Sequence, residues 1–227
     1  MDSYWEWNKE NFPWHYDPAN TTPDVQYVGR FTSNPETLLR DGVNASKDGL
    51  SDKDKYDEVS IKGKPYNKEA GEIMEGYHND LTRAGYTSHN TGGRQSRENL
   101  HHVMHLMAER SGLWNPQIMF LEQPPGKFVP WHRDSYNNYR RNFAKVSDDT
   151  EVIRYLIQLN DWNWGHYVAV GNDVIHQYKI GDIHCWKEGI YHCTGNAGLW
   201  PRYCLTITGC VTESALHLKE ATDWIIR

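Results

Sequence analysis

The sequence predicts a mainly β protein, an antiparallel sandwich or jelly roll with flanking helices, and three observations support this. About seven β-type segments fall within roughly ninety residues of the second half. Turn signals, not helical stretches, separate them, which argues against the alternating pattern of a parallel α/β sheet. The helical patterns lie outside this region, so helices flank the sheets.

The strand region begins at residue 117. Residues 118–122 form the first candidate strand, ended by Gln123-Pro124-Pro125-Gly126, and residues 128–132 start the second. Residues 152–159 are the longest β-type run, followed by the turn-like pair Asn160-Asp161. Residues 167–170 and 174–178 flank Gly171-Asn172-Asp173, a hairpin-like turn. A strand at 183–186 follows Gly181-Asp182, and another at 203–208 follows Pro201.

Residues 96–110 carry the clearest helical signal. Ser96 is placed to cap the first turn, Leu100, Val103, Met104, Met107 and Ala108 form an apolar stripe, and Gly112 closes the helix. His101, His102 and His105 on it read as solvent-facing or packing side chains. A weaker helical pattern over 69–84 repeats Ile73, Tyr77 and Leu81 but is interrupted by Gly71 and Gly76. Residues 46–55 read as an exposed loop, and 214–226 as a terminal helix.

The 227 residues suit one domain, with 1–115 a loop and helical flank and 116–210 the jelly-roll core. Aromatic residues make up 13%, including ten Trp and fourteen Tyr, so core and cleft should be rich in flat amphipathic side chains. The net charge of −6 offers no general attraction to phosphate backbones, and nucleic acid is not the expected partner. The first residues lack the apolar run of a secretory signal, and no segment is long and apolar enough to span a bilayer. Cys185, Cys193, Cys204 and Cys210 read as buried thiols, and a cytoplasmic location is expected.

The chemistry centres on Trp131-His132-Arg133-Asp134, with His192 and Arg202 downstream. On one extended strand His132 and Asp134 point to the same face while Arg133 points away. His192 is expected to arrive from a strand or strand end across the barrel. Two imidazoles and a carboxylate suit Fe(II) while leaving its other positions open, although Mn, Co or Zn accept the same donors. Arg202 presents a planar cationic fork suited to a carboxylate. Cys204 and Thr206 share its strand face, and Thr206 is a candidate hydroxyl donor. Tyr155 and Gln158 face opposite sides of the long strand, so only one points inward; Tyr155 is the candidate co-substrate contact. A rival zinc site would use His184-Cys185 and His192-Cys193, but adjacent strand residues face opposite ways.

These pieces, in order from residue 118 to 208, resemble the Fe(II)/2-oxoglutarate-dependent dioxygenase superfamily, especially its prolyl-hydroxylase-like and aspartyl-hydroxylase-like branches. The resemblance implies a double-stranded β-helix, the cupin-like form of the jelly roll. It implies that His132, Asp134 and His192 bind Fe(II) and that Arg202 binds the distal carboxylate of the co-substrate 2-oxoglutarate, with dioxygen as oxidant. Some members place a serine two residues after this arginine; here the residue is Cys204, which leaves the second carboxylate contact open. Asn196 is a candidate assistant near the metal or a turn former beside Gly195. The presence of Asp134 points to hydroxylation over halogenation, because family halogenases lack that carboxylate.

The implied activity is hydroxylation of an amino-acid side chain, in a peptide or protein ahead of a free amino acid or other small metabolite. A cupin-like binding protein without turnover is the alternative from another class. Residues 135–143 read as a loop long enough to fold over the metal as a lid. Trp162, Trp164 and Tyr167 are candidates for lining the cleft or for packing.

Overall fold

In the computed structural model the described residues are 23–35, 37–50 and 93–226. The helical pattern at 69–84 and the end of the predicted loop, 51–55, lie outside them. Strand β1 (Gln26–Ser33) and helix α1 (Thr37–Lys47) precede β2 (Arg94–Ser96) and helix α2 (His102–Arg110). Then come β3 (Trp114–Gln123), β4 (Phe128–His132), β5 (Val152–Gln158) and β6 (His166–Val170). The remaining strands are β7 (Asp173–Ile175), β8 (Asp182–Trp186), β9 (His192–Asn196), β10 (Arg202–Cys210) and β11 (Thr222–Ile226).

The strands form a seven-stranded sheet, ordered β11-β1-β8-β5-β10-β3-β2, and a four-stranded sheet, ordered β4-β9-β6-β7. From β3 to β10 the chain deals its strands between the two sheets, and every pairing among them is antiparallel. This is the jelly roll, the double-stranded β-helix arrangement, that the strand-rich second half predicts.

Period-two alternation builds two cores. On β5, Ile153, Tyr155 and Ile157 face outward into a cluster with Leu205 and Ile207 of β10, Leu39 and Val43 of α1, and Val103, Met104 and Met107 of α2. Leu156 faces the other way and packs between the sheets with Val168, Val170, Tyr178, Trp186 and Cys204. Arg154 and Gln158 share the face of Leu156 by the same parity. Polar residues therefore enter the barrel on a rigid strand, which is what places the functional site.

Several local expectations are corrected. Helix α2 starts at His102, not Ser96: Ser96 belongs to β2, and the His101 ring, at the N-cap, accepts from the Val103 N–H at 3.4 Å. The predicted terminal helix at 214–226 is instead a 3-10 turn at Leu216–Leu218 followed by β11, which pairs in parallel with β1. The β-favouring run Thr222-Asp223-Trp224-Ile225-Ile226 finds a strand edge there, and a long-range ladder outweighs a weak helical pattern. Ser46 and Lys47, predicted to lie in an exposed loop, end α1, and Ser46 is buried. The amino-terminal flank contributes β1 to the larger sheet, between the edge strand β11 and β8. Gly29 sits at a bulge there with φ +126°, and a Cβ would lie 2.2 Å from the Thr222 carbonyl oxygen.

All four cysteines are free and buried, as expected of reduced thiols. Among the described residues no helix is long and apolar enough to cross a membrane. Because Phe31 of β1 is fully buried in the outer core, Phe31→Ala should destabilise the protein by about 3–5 kcal/mol. Urea unfolding checks this; a loss below 1 kcal/mol, on the order of a surface change, would mean that β1 is not integral to the sheet.

Candidate metal centre and anion pocket

His132 ends β4 and His192 begins β9, and the two are register partners on neighbouring strands of the smaller sheet. Their ring centroids lie 4.2 Å apart. The second histidine thus comes from the adjacent strand, not from across the barrel. Asp134 lies two residues past the end of β4, so its approach to the histidines comes from the loop and not from strand parity. His132, Asp134 and His192 nevertheless bring one ligand atom each within 4.8 Å of one another, the one such His/Cys/Asp/Glu group among the described residues.

The histidines are oriented alike. His132 Nδ1 lies 2.8 Å from the Pro130 carbonyl oxygen, and His192 Nδ1 lies 3.0 Å from that of Ile190. A carbonyl only accepts, so each Nδ1 donates, and Nε2 is the nitrogen each ring has left for a metal. Backbone carbonyls fix metal-binding histidines in this way. His192 Nε2 is 3.6 Å from Asp134 Oδ2. Burial, with His132 beside it, pushes the His192 pKa down to about 4 against the pull of Asp134, so the ring is neutral near pH 7. Burial raises the Asp134 pKa, but Arg154, His132 and His192 outweigh it and hold the carboxyl below its ordinary value. Two imidazoles that present Nε2 and a carboxylate are donors that a divalent metal accepts, so the set fits Fe(II).

A cavity of about 110 Å³ runs between the sheets from this triad to Arg202. Its walls between the two ends include Met119, Leu121, Val129, Leu156, Trp186 and Cys204. Arg202 opens β10 and is 2% exposed. Its Nη1 and Nη2 each reach a neutral amide oxygen at 3.4 Å, those of Gln123 and Gln158. Arg202 Nε, Gln158 Nε2 and His184 Nδ1 are buried without a hydrogen-bond partner. No carboxylate among the described residues pairs with Arg202. Such a charge is costly to bury unless an anion joins it.

Thr206 lines the same cavity, on the strand face it shares with Arg202 and Cys204. Tyr155 does not: it points to the outer core, where its hydroxyl meets His217 Nδ1 at 2.7 Å. Gln158 is the inward residue of that pair, because it shares strand parity with Leu156. Asn196 is a turn brace. Its Nδ2 donates to the Gln123 and Trp200 carbonyls at 2.8 Å each, and its Oδ1 accepts from Gly198 N–H at 3.0 Å. These bonds hold it outside the cavity lining.

The predicted lid is an anchored segment. Tyr136 and Tyr139 are buried, residues Tyr139–Ala144 form a π-helical turn, and Arg140 makes a bidentate pair with Glu188 at 2.9 and 2.6 Å. Trp162 packs in the inner core, whereas Trp164 is exposed; neither lines the cavity, nor does Tyr167. The histidine pairs of the rival zinc site stay apart, with Cys185 in the outer core. Sequence reasoning missed Arg154, which pairs with Asp134, and Gln123, whose Nε2 also donates to Thr194 Oγ1 at 2.9 Å. The signal for Arg154 was available: a charged residue inside the longest β-type run, in phase with Leu156.

No protein-family model and no curated protein sequence matches the chain. Among solved structures it is similar to a double-stranded β-helix domain protein from Klebsiella pneumoniae, with 18% identity over 43% of this chain and 70% of that one, TM-score 0.30. It is also similar to a predicted oxalate decarboxylase from Thermotoga maritima, with 14% identity over 52% and 80% of the two chains, TM-score 0.33. A cupin protein from Bacteroides fragilis is 12% identical over 56% and 83%, TM-score 0.33. The architecture of this chain rests on its own two sheets.

The buried histidines set a pH dependence. Burial also pushes the His184 pKa down to about 4, with Asp182 opposing and Arg202 assisting. Both His184 and His192 have an ordinary value of 6.5, so the unfolded chain binds more protons than the folded one between about pH 6.5 and 4. Stability should therefore fall as pH drops through that window, and Asp134 adds a further loss at lower pH, below its ordinary range. Urea unfolding of metal-free protein at pH 7 and pH 5 checks this. His184→Gln should shrink the difference between the two pH values, and an undiminished difference would contradict the assignment.

Proposed function

We propose that the protein is an Fe(II)- and 2-oxoglutarate-dependent oxygenase that hydroxylates an amino-acid side chain carried by a peptide or protein. The observation that carries this reading is the two-ended cavity. Two histidines and a carboxylate lie at one end, and a buried arginine without a carboxylate partner among the described residues lies at the other. A linear diacid that chelates a metal through one end and offers a carboxylate at the other matches both ends, whereas either end alone would leave many candidates.

His132, Asp134 and His192 would hold the iron. With iron, 2-oxoglutarate and dioxygen present, the site would supply oxidation of an unactivated C–H bond to an alcohol, coupled to conversion of 2-oxoglutarate to succinate and carbon dioxide. The chain's own residues bind and orient. The Pro130 and Ile190 carbonyls hold both histidines as Nε2 donors. Arg202 draws a carboxylate to the deep end, and the neutral amides of Gln123 and Gln158 aim the guanidinium without cancelling its charge. Beside it on the same strand face Cys204 offers only a weakly donating thiol, and Thr206 offers a hydroxyl two positions farther along the cavity wall. The apolar wall excludes water between the two ends, which strengthens the charge interactions at each.

Anaerobic titration of the Fe(II)-loaded protein with 2-oxoglutarate tests the reading. A visible metal-to-ligand charge-transfer band should develop, and Arg202→Ala should weaken 2-oxoglutarate binding by about 10- to 100-fold, the loss of a charge-assisted fork in a buried site. No band, or an identical titration in Arg202→Ala, would sink the site. A band without turnover of 2-oxoglutarate across a broad peptide and amino-acid panel would instead favour a binding protein.

A further inference from the structure

We propose that Arg154 is the positioning residue for Asp134, holding from the opposite sheet a metal ligand that its own strand does not place; this rests on the metal reading of the triad. Asp134 lies beyond the last ladder pair of β4, so no sheet hydrogen bond sets its direction. Among the described residues one donor is hydrogen-bonded to its carboxylate, and that donor is Arg154 Nη1, on Oδ2. The other close group is His192 Nε2, a fellow ligand at 3.6 Å.

Arg154 is itself held on two sides. It stands on β5, where Thr208 of β10 is its register partner, and Arg154 Nε donates to Thr208 Oγ1 at 2.9 Å. On the other side its guanidinium carbon lies 5.2 Å from the centre of the Tyr136 ring. A planar fork fixed at Nε and stacked against a ring presents Nη1 in one direction. The Asp134 loop is tied down separately, through the Tyr136 N–H donating to Glu188 Oε1 at 2.9 Å. Backbone position and carboxylate direction thus have different holders, and the second can be removed while the first remains.

Two effects oppose each other at such a residue. A guanidinium beside a divalent cation repels it, while a guanidinium on the ligand carboxylate spares the metal the cost of ordering that ligand. The Arg154 side chain is 25% exposed, so solvent and salt screen the repulsion. Groups that orient metal ligands typically contribute about 10- to 100-fold in affinity. Orientation therefore outweighs repulsion here.

The test uses Mn²⁺ as the probe, with dissociation constants from electron paramagnetic resonance of metal-free protein and circular dichroism as the folding control. Arg154→Gln should weaken Mn²⁺ binding by about 10- to 100-fold. Arg154→Lys should recover only part of the loss, since it returns the charge without the planar fork. Thr208→Val, which loosens the arginine without touching the ligand, should weaken binding in the same direction by less, and it decides the matter if Arg154→Gln does not fold. Unchanged or tighter binding in the folded Arg154 variant overturns the proposal; tighter binding makes Arg154 a competitor of the metal. His132→Ala separates the two readings. If it abolishes binding while Arg154→Gln does not alter it, only the positioning role fails. If wild type does not bind Mn²⁺, or binds it no better than His132→Ala, the metal reading fails and takes this proposal with it.

Discussion

A carboxylate held between two sheets governs the open end of this jelly roll. Asp134 reaches inward from a loop of the smaller sheet and Arg154 meets it from the larger one, so their ion pair spans the sandwich. The arrangement around them follows from keeping that charge in place. Thr208 and Tyr136 steady the arginine, and Glu188 pins the loop backbone. The two histidine rings turn their Nε2 atoms toward the same space because their Nδ1 atoms are committed to backbone carbonyls. An unpaired aspartate in this position would incur a desolvation penalty of several kcal/mol.

The deep end follows the opposite rule. There the structure keeps a cation and surrounds it with neutral groups. Two glutamine oxygens approach Arg202 at 3.4 Å, long for charge-assisted contacts, and nearby polar atoms stay without partners. Natural interiors rarely leave groups of this kind unsatisfied; ordered water, an ion or a ligand completes them. Between the two ends the wall is largely aliphatic and aromatic.

Much of this was legible in the sequence, for a physical reason. Strands alternate, so Arg202, Cys204 and Thr206 had to share a face, and the turns between β segments signalled antiparallel pairing. His132, Asp134 and His192 could be grouped because few residue types ligate metals. What escaped had no local signature. β9 reads His-Cys-Thr-Gly-Asn, without apolar alternation, and becomes a strand through β4 and β6 on either side. β1 is broken by the bulge at Gly29, and its place in the sheet depends on β8 and β11, both remote in sequence. For Tyr155 and Gln158, parity says that the two differ in direction without saying which faces in; only the packing of α1 and α2 outside decides that.

The two charged groups of the cavity meet solvent to different degrees. Arg202 is 2% exposed, while the side chains of Asp134 and Arg154 are 19% and 25% exposed. Mobile ions reach the second pair more readily than the first, so added salt weakens the Asp134–Arg154 attraction more than any attraction that Arg202 exerts.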